Sequence, residues 1–231
     1  MLKFLLVIIV VLISLIVFVP WYFLGIGSKP KDLGISFTIQ DSAAARDKVG
    51  TQIIPITAEI NKSDFTLEGK RDIEFSMDSK ELSAHSNNRS WKNYPVKNLQ
   101  IKISNDGTIE SSATLIVSKG MPYAMAMGYS EVQIKDAMKK YNIPPFEVPI
   151  YIKGRGQVIN DDVKVYAQTI TLGNILVPQA LVETASSEVK KLLNDVIKKH
   201  SQSFHADSLT FIDGKMNFRG SVAEKEYVVS N

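Results

Sequence analysis

From Leu2 to Leu24 the chain is apolar except at Lys3, Ser14 and Pro20. As a helix rising 1.5 Å per residue, that run reaches roughly 35 Å, enough to cross a hydrocarbon core of about 30 Å. A secretory signal peptide carries a shorter apolar region of about 7–15 residues, so the run reads as an uncleaved anchor over residues 1–27. Trp21, Tyr22 and Phe23 follow Pro20, where an aromatic belt would meet the headgroups. The alternative is a cleaved signal, for which Gly25 and Gly27 supply the small residues. Lys3 on one side nearly balances Lys29 and Lys31 on the other, so charge alone does not orient the span. The very short stretch before it matches a signal anchor whose bulk is exported. A single-pass cell-membrane protein with its domain on the extracytoplasmic side is expected.

Beyond the anchor the chain reads as one domain. Residues 28–33 form a short polar tether, 34–222 an extracytoplasmic α+β domain, and 223–231 a flexible tail. With 45% hydrophobic residues the chain is neither disordered nor collagen-like, and with no cysteine it has no disulfide, thiolate metal site or cysteine nucleophile. The net charge of +3 comes from dispersed lysines without interleaved aromatics, so nucleic acid is set aside as a partner.

Local grammar favours antiparallel strands. Leu99, Ile101 and Ile103 alternate with polar residues, Asn105-Asp106-Gly107 turns, and the alternation resumes from Ile109 to Val117. Leu209 to Phe218 repeats this around Asp213-Gly214, and Ile150 to Leu172 does so around Asn160-Asp161-Asp162. Phe65–Phe75 reads as one further strand and Ile53–Ile60 as another, making at least seven, mostly antiparallel. Helices are expected over Gln40–Val49, from Asp78 with its capping-box partner Glu81, over Ser130–Tyr141, and over Ser186–His200. The last places Val189, Leu192, Leu193, Val196 and Ile197 on one stripe, read as core-facing or, with its flanking lysines, as lying against an anionic membrane surface. The class is α+β: a transmembrane helix, then a curved, mostly antiparallel sheet packed on a few helices.

Chemistry is sparse. His85, His200 and His205 lack the convergent ligands of a metal site and read as solvated or capping residues. No nucleophile elbow, P-loop or dinucleotide-binding glycine pattern occurs, and Asp161-Asp162 read as turn residues. Gly154-Arg155-Gly156 reads as a bend or bulge within a strand. Catalytic residues, metals and cofactors are therefore not expected. The unusual stretch is Met121–Tyr129, uncharged over nine residues and holding three of the seven methionines. It suits a buried helical turn packed on the sheet, an adaptable apolar lip over a groove, or a patch touching the bilayer.

Three runs carry a resemblance: Pro95–Ile103 with its Asp-Gly turn, Pro149–Gly156 leading to Leu172–Pro178, and Ser208–Phe211 with Asp213–Met216. Together they resemble uncharacterised bacterial membrane-anchored extracytoplasmic proteins, near the tubular lipid-binding (BPI-like) families of unknown function. The resemblance implies a curved antiparallel sheet around a helix, with an apolar groove. The helix at 186–200 is short for a closed tunnel, which implies an open groove. On this reading the protein is non-catalytic and binds a lipid or other amphiphile beside the bilayer. Met121, Tyr123, Met125, Met127, Phe211, Met216 and Phe218 are the groove candidates, and Lys190 and Lys191 the headgroup rim. The alternative is a cell-envelope scaffold that docks another protein and holds no small ligand.

Overall fold

The computed structural model describes residues 28–56, 65–89, 91–126, 129–140 and 146–229. The expected anchor over 1–27, and Met127, lie outside them, and no described helix is long and apolar enough to cross a membrane. The first half runs α1 (Ile39–Val49), β1 (Gln52–Ile56), β2 (Phe65–Glu68), β3 (Arg71–Asp78), α2 (Ser79–Asn87), β4 (Val96–Ile103) and β5 (Ile109–Leu115). Then follow α3 (Val117–Ala126), α4 (Glu131–Lys140), β6 (Val148–Ile159), β7 (Asp162–Leu172), β8 (Ile175–Leu176), α5 (Gln179–Lys199), β9 (His205–Ile212), β10 (Lys215–Val222) and β11 (Lys225–Val229).

Turn chemistry sets the strand register. Asn160 and Asp161 take left-handed backbone (φ 50° and 64°), as do Asp213 and Gly214 (φ 51° and 73°). Two successive left-handed residues build the hairpin turn whose twist matches paired strands, and Asn, Asp and Gly tolerate it best. These turns close β6 on β7 and β9 on β10. The larger sheet runs β3-β10-β9-β6-β5-β4, with β7 on the far side of β6 and β8 beyond it. A smaller sheet runs β1-β11-β2, and its β1–β11 pair is parallel. The fold is α+β and mostly antiparallel. Bulges mark the larger sheet at Gly154 and Gly220, where an added Cβ would run into the carbonyl oxygens of Tyr166 and His205.

Two expectations are corrected. Phe65–Phe75 is not one strand: Gly69, at φ 75°, breaks it into β2 and β3, which belong to different sheets. Within the expected flexible tail 223–231, the described residues 223–229 are ordered, because β11 is the middle strand of the smaller sheet. Val228 and Val229 are buried there, while Lys225 and Tyr227 both donate to the Glu68 carboxylate on β2. The tether also differs from a free linker from Lys31 onward. Lys31 Nζ lies 3.9 Å from the centroid of the Tyr151 ring and 3.8 Å from Glu110, and the Leu33 amide donates to Gln100 Oε1 at 2.7 Å.

Helices α1 and α2 cover one face. Ala45 and Met77 pack with Ile103 and Met216, joined by Phe75, Leu209 and Phe211. The capping box at Asp78 forms, with Glu81 reaching back to the Asp78 amide at 3.1 Å. Helix α2 also seals the outer edge of β4. The amides of Ile103, Ile101 and Leu99 donate to Ser79 Oγ, Ser83 Oγ and Asn87 Oδ1 at 3.0, 2.8 and 2.9 Å. Four helix residues advance about 6.0 Å and two strand residues about 6.6 Å, so polar residues spaced by four meet alternate strand amides. Helix α5 repeats the device on β7: the Ala167 amide donates to Ser186 Oγ and the Val163 amide to Asn194 Oδ1. The outer edges of β4 and β7, which would otherwise present bare amides, are thereby occupied at these positions.

Candidate functional site

Helix α5 is amphipathic in an unusual sense. Its polar residues Ser186 and Asn194 lie against the β7 edge, with Val182 fully buried at the near end. The apolar stripe then turns away from the sheet. Val189, Leu192 and Leu193 remain 43, 42 and 39% exposed, values foreign to a core-facing stripe. The expectation of a core-facing stripe is corrected, because hydrogen bonds to the strand edge, not apolar packing, orient this helix.

The stripe walls two successive clefts. The first, of about 600 Å³, lies between α3, α4 and α5. Its apolar wall is Val117, Met121, Ile134, Met138, Val189 and Leu192, and its polar margin holds Asp136, Glu188, Lys191 and Asp195. The Tyr129 hydroxyl is enclosed there without a hydrogen-bond partner among the described residues, and burial raises its pKa. One turn further along α5, a cleft of about 370 Å³ is lined by Leu193, Val196 and Ile197 together with Trp91, Tyr94 and Tyr123. Tyr123 packs on Trp91 with ring centroids 4.8 Å apart and meets Tyr94 edge-on at 6.3 Å. Burial raises the pKa of both Tyr94 and Tyr123, so each keeps its proton over the physiological range.

A third cleft, of about 210 Å³, shares Leu67, Arg89, Phe204 and Glu226 with the second. Its remaining lining includes Arg46, Val49, Thr51 and His85. Arg89 Nη1 stands 3.6 Å from Glu226 Oε2, and burial raises the Glu226 pKa although Arg89 opposes the shift. His85 is depressed to about 4, by burial first and then by Arg89 and Arg46, so it is a neutral imidazole at pH 7.

The sequence-based site is only partly assembled. Met121 and Lys191 line the first cleft and Tyr123 the second. Met125 is 47% exposed and lines none of the three clefts, while Met127 lies outside the described residues. Phe211 and Met216 are corrected to the core under α1 and α2, and Phe218 is buried with Phe75 and Phe204 at centroid distances of 5.2 and 5.9 Å. Their side of the hairpin faces those helices rather than α5. Lys190 is exposed and lines none of the three clefts. Arg89, Trp91, Tyr94 and Glu226 escape the sequence reading altogether. The Ile134 and Met138 pairing on one side of α4 is the available local signal for the first cleft.

One polar cluster stands apart. His205 Nδ1 lies 2.6 Å from Asp161 Oδ2 and its Nε2 3.1 Å from Asp207 Oδ1, while Arg219 approaches Asp207 at 3.5 Å. The hydrogen bond to Asp161 leads the causes that raise the His205 pKa. When protonated, the imidazole donates from both ring nitrogens to these carboxylates and has no lone pair for a base or a metal. Asp161 also accepts from the Ala206 amide at 2.8 Å, so the cluster fastens the β6–β7 turn to β9. Among the described residues no group of three or more His, Cys, Asp or Glu is arranged to hold a metal ion. Comparison with family models, curated proteins and solved structures returns no match for this chain.

Proposed function

We propose that this is a non-catalytic, membrane-anchored cell-envelope protein that holds a lipid or other amphiphile along α5 on the extracytoplasmic side. The carrying observation is the α5 stripe, which faces an open apolar cleft instead of the core. Small-molecule sites span about 300–1,000 Å³, and the first cleft falls within that range. Acyl burial would contribute about 0.8 kcal/mol per methylene, and the unpartnered Tyr129 hydroxyl offers one directed hydrogen bond. The scaffold alternative is less favoured at the β4 and β7 edges, where α2 and α5 occupy amides that strand addition would use.

The test is photo-crosslinking of the full chain in its own membranes with a long-chain diazirine amphiphile, followed by peptide mapping. Label on Met121, Val189 and Leu192 is expected, together with its loss in Leu192→Asp. Because Leu192 is 42% exposed, that substitution changes unfolding free energy by only about 0.5 kcal/mol. Label confined to residues 1–27 would overturn the assignment.

A further inference from the structure

The three clefts differ in charge from one end to the other. At the α4 end the margin carries Asp136, Glu188 and Asp195 against Lys191. At the opposite end Arg46 and Arg89 face the third cleft against Glu226 alone. Among the described residues Arg89 meets only Glu226, through one nitrogen at 3.6 Å, which leaves most of its five N–H donors for another acceptor. Arg46 is exposed on α1, and its guanidinium has no partner among the described residues. A further guanidinium, Arg71, donates to the carbonyl of the wall residue Val49 at 2.6 Å. His85 Nδ1 is enclosed there and also lacks a hydrogen-bond partner. Between the two ends lie the aromatic rings of Trp91, Tyr94 and Tyr123 and the α5 stripe.

We propose that Arg46 and Arg89 form the headgroup site for the anionic end, carboxylate or phosphate, of an acyl amphiphile whose tail lies back along α5. This rests on the amphiphile reading and adds its charge, its polarity class and its direction. A planar guanidinium donating through paired N–H groups suits either oxyanion. The acidic margin at the α4 end repels the same headgroup, so the ligand enters in one orientation. The path from Val189 to Ile197 along α5 is roughly 12 Å, length for a hydrocarbon segment between the two ends. Lys190 and Lys191 then have no headgroup role, Lys191 lining the first cleft with Asp136, Glu188 and Asp195 at the wrong end.

The experiment compares two diazirine probes of equal chain length, palmitate and hexadecanol, on the full chain in washed membranes. Palmitate is expected to label the α5 stripe about tenfold more strongly than hexadecanol, the scale of a charge-assisted hydrogen bond. Arg46→Gln and the double variant Arg89→Gln/Glu226→Gln should each erase that preference while hexadecanol labelling persists. The double variant avoids stranding Glu226 as a lone buried charge, and Arg46→Gln alters only an exposed side chain. Equal labelling by both probes, insensitive to these variants, would overturn the anionic site while leaving the amphiphile reading intact. No labelling of α5 by either probe would overturn both. Inorganic phosphate binding that depends on Arg46 and Arg89, with palmitate and hexadecanol labelling α5 equally, would assign the site to a free anion and overturn the amphiphile head.

Discussion

At the scale of single residues, two histidines work in opposite directions with pH. His205 has a folded pKa raised above 6.5 by Asp161 and Asp207, so it binds its proton more tightly folded than unfolded. Its contribution is complete below pH 6.5 and disappears as pH climbs through the raised value. The stability gap between the protein and His205→Gln, followed by thermal melts across pH, should therefore be widest in acid and close in alkali. His85 has the reverse sign. Its folded value of about 4 lies below 6.5, so acidification between those limits favours the unfolded chain, which takes the proton more readily. His85→Gln should flatten that acid-side loss. Glycine substitutions make a sharper contrast still. Gly220, at φ 154°, sits under the carbonyl of His205, and Gly220→Ala should destabilise by about 3 kcal/mol in urea denaturation. Gly120, inside α3 with open space where a methyl group would stand, should instead gain about 0.5–1 kcal/mol as Gly120→Ala.

At the scale of elements, the sealed edges make a distinct prediction. Ser83 is fully buried, accepts from the Ile101 amide at 2.8 Å and donates to the Ser79 carbonyl at 2.6 Å. Ser83→Ala should cost about 1–3 kcal/mol in unfolding free energy, because it strands a strand-edge amide. Hydrogen exchange should show faster opening at Ile101 than at Val163, whose partner Asn194 is untouched. These edges also explain what can be read from the chain and what cannot. The hairpins at Asn160-Asp161 and Asp213-Gly214 and the capping box at Asp78 are legible, since a few adjacent residues determine each. The amphipathic stripe of α5 is legible too, but not its direction. Ser186 and Asn194 look like ordinary surface residues until β7 presents amides at the matching spacing. The C-terminal segment misleads for a similar reason: Lys225–Val229 is short and charged, and only Glu68 and the neighbouring strands make it a central strand. Met121 can be singled out locally, whereas Arg89 and Glu226 come from distant segments that no spacing rule connects.

At the scale of the whole molecule, β11 ties the end of the described chain to its beginning. It pairs with β1 in parallel and with β2 antiparallel, and Val228 packs on Trp91 beside Tyr94 and Tyr123. Removal of residues 225–231 should therefore abolish the cooperative unfolding transition and the near-ultraviolet signal of the aromatic cluster together, rather than trim a loose end. The docked stem has a separate consequence. With Lys31 seated on Tyr151 and Leu33 tied to Gln100, residues 28–30 separate these contacts from residue 27 by at most about 10 Å of chain. If residues 1–27 hold the protein in a bilayer, its groove works as a fixed berth on one membrane and not as a ferry between two. Cargo would change hands only with that same leaflet or with a carrier that comes alongside.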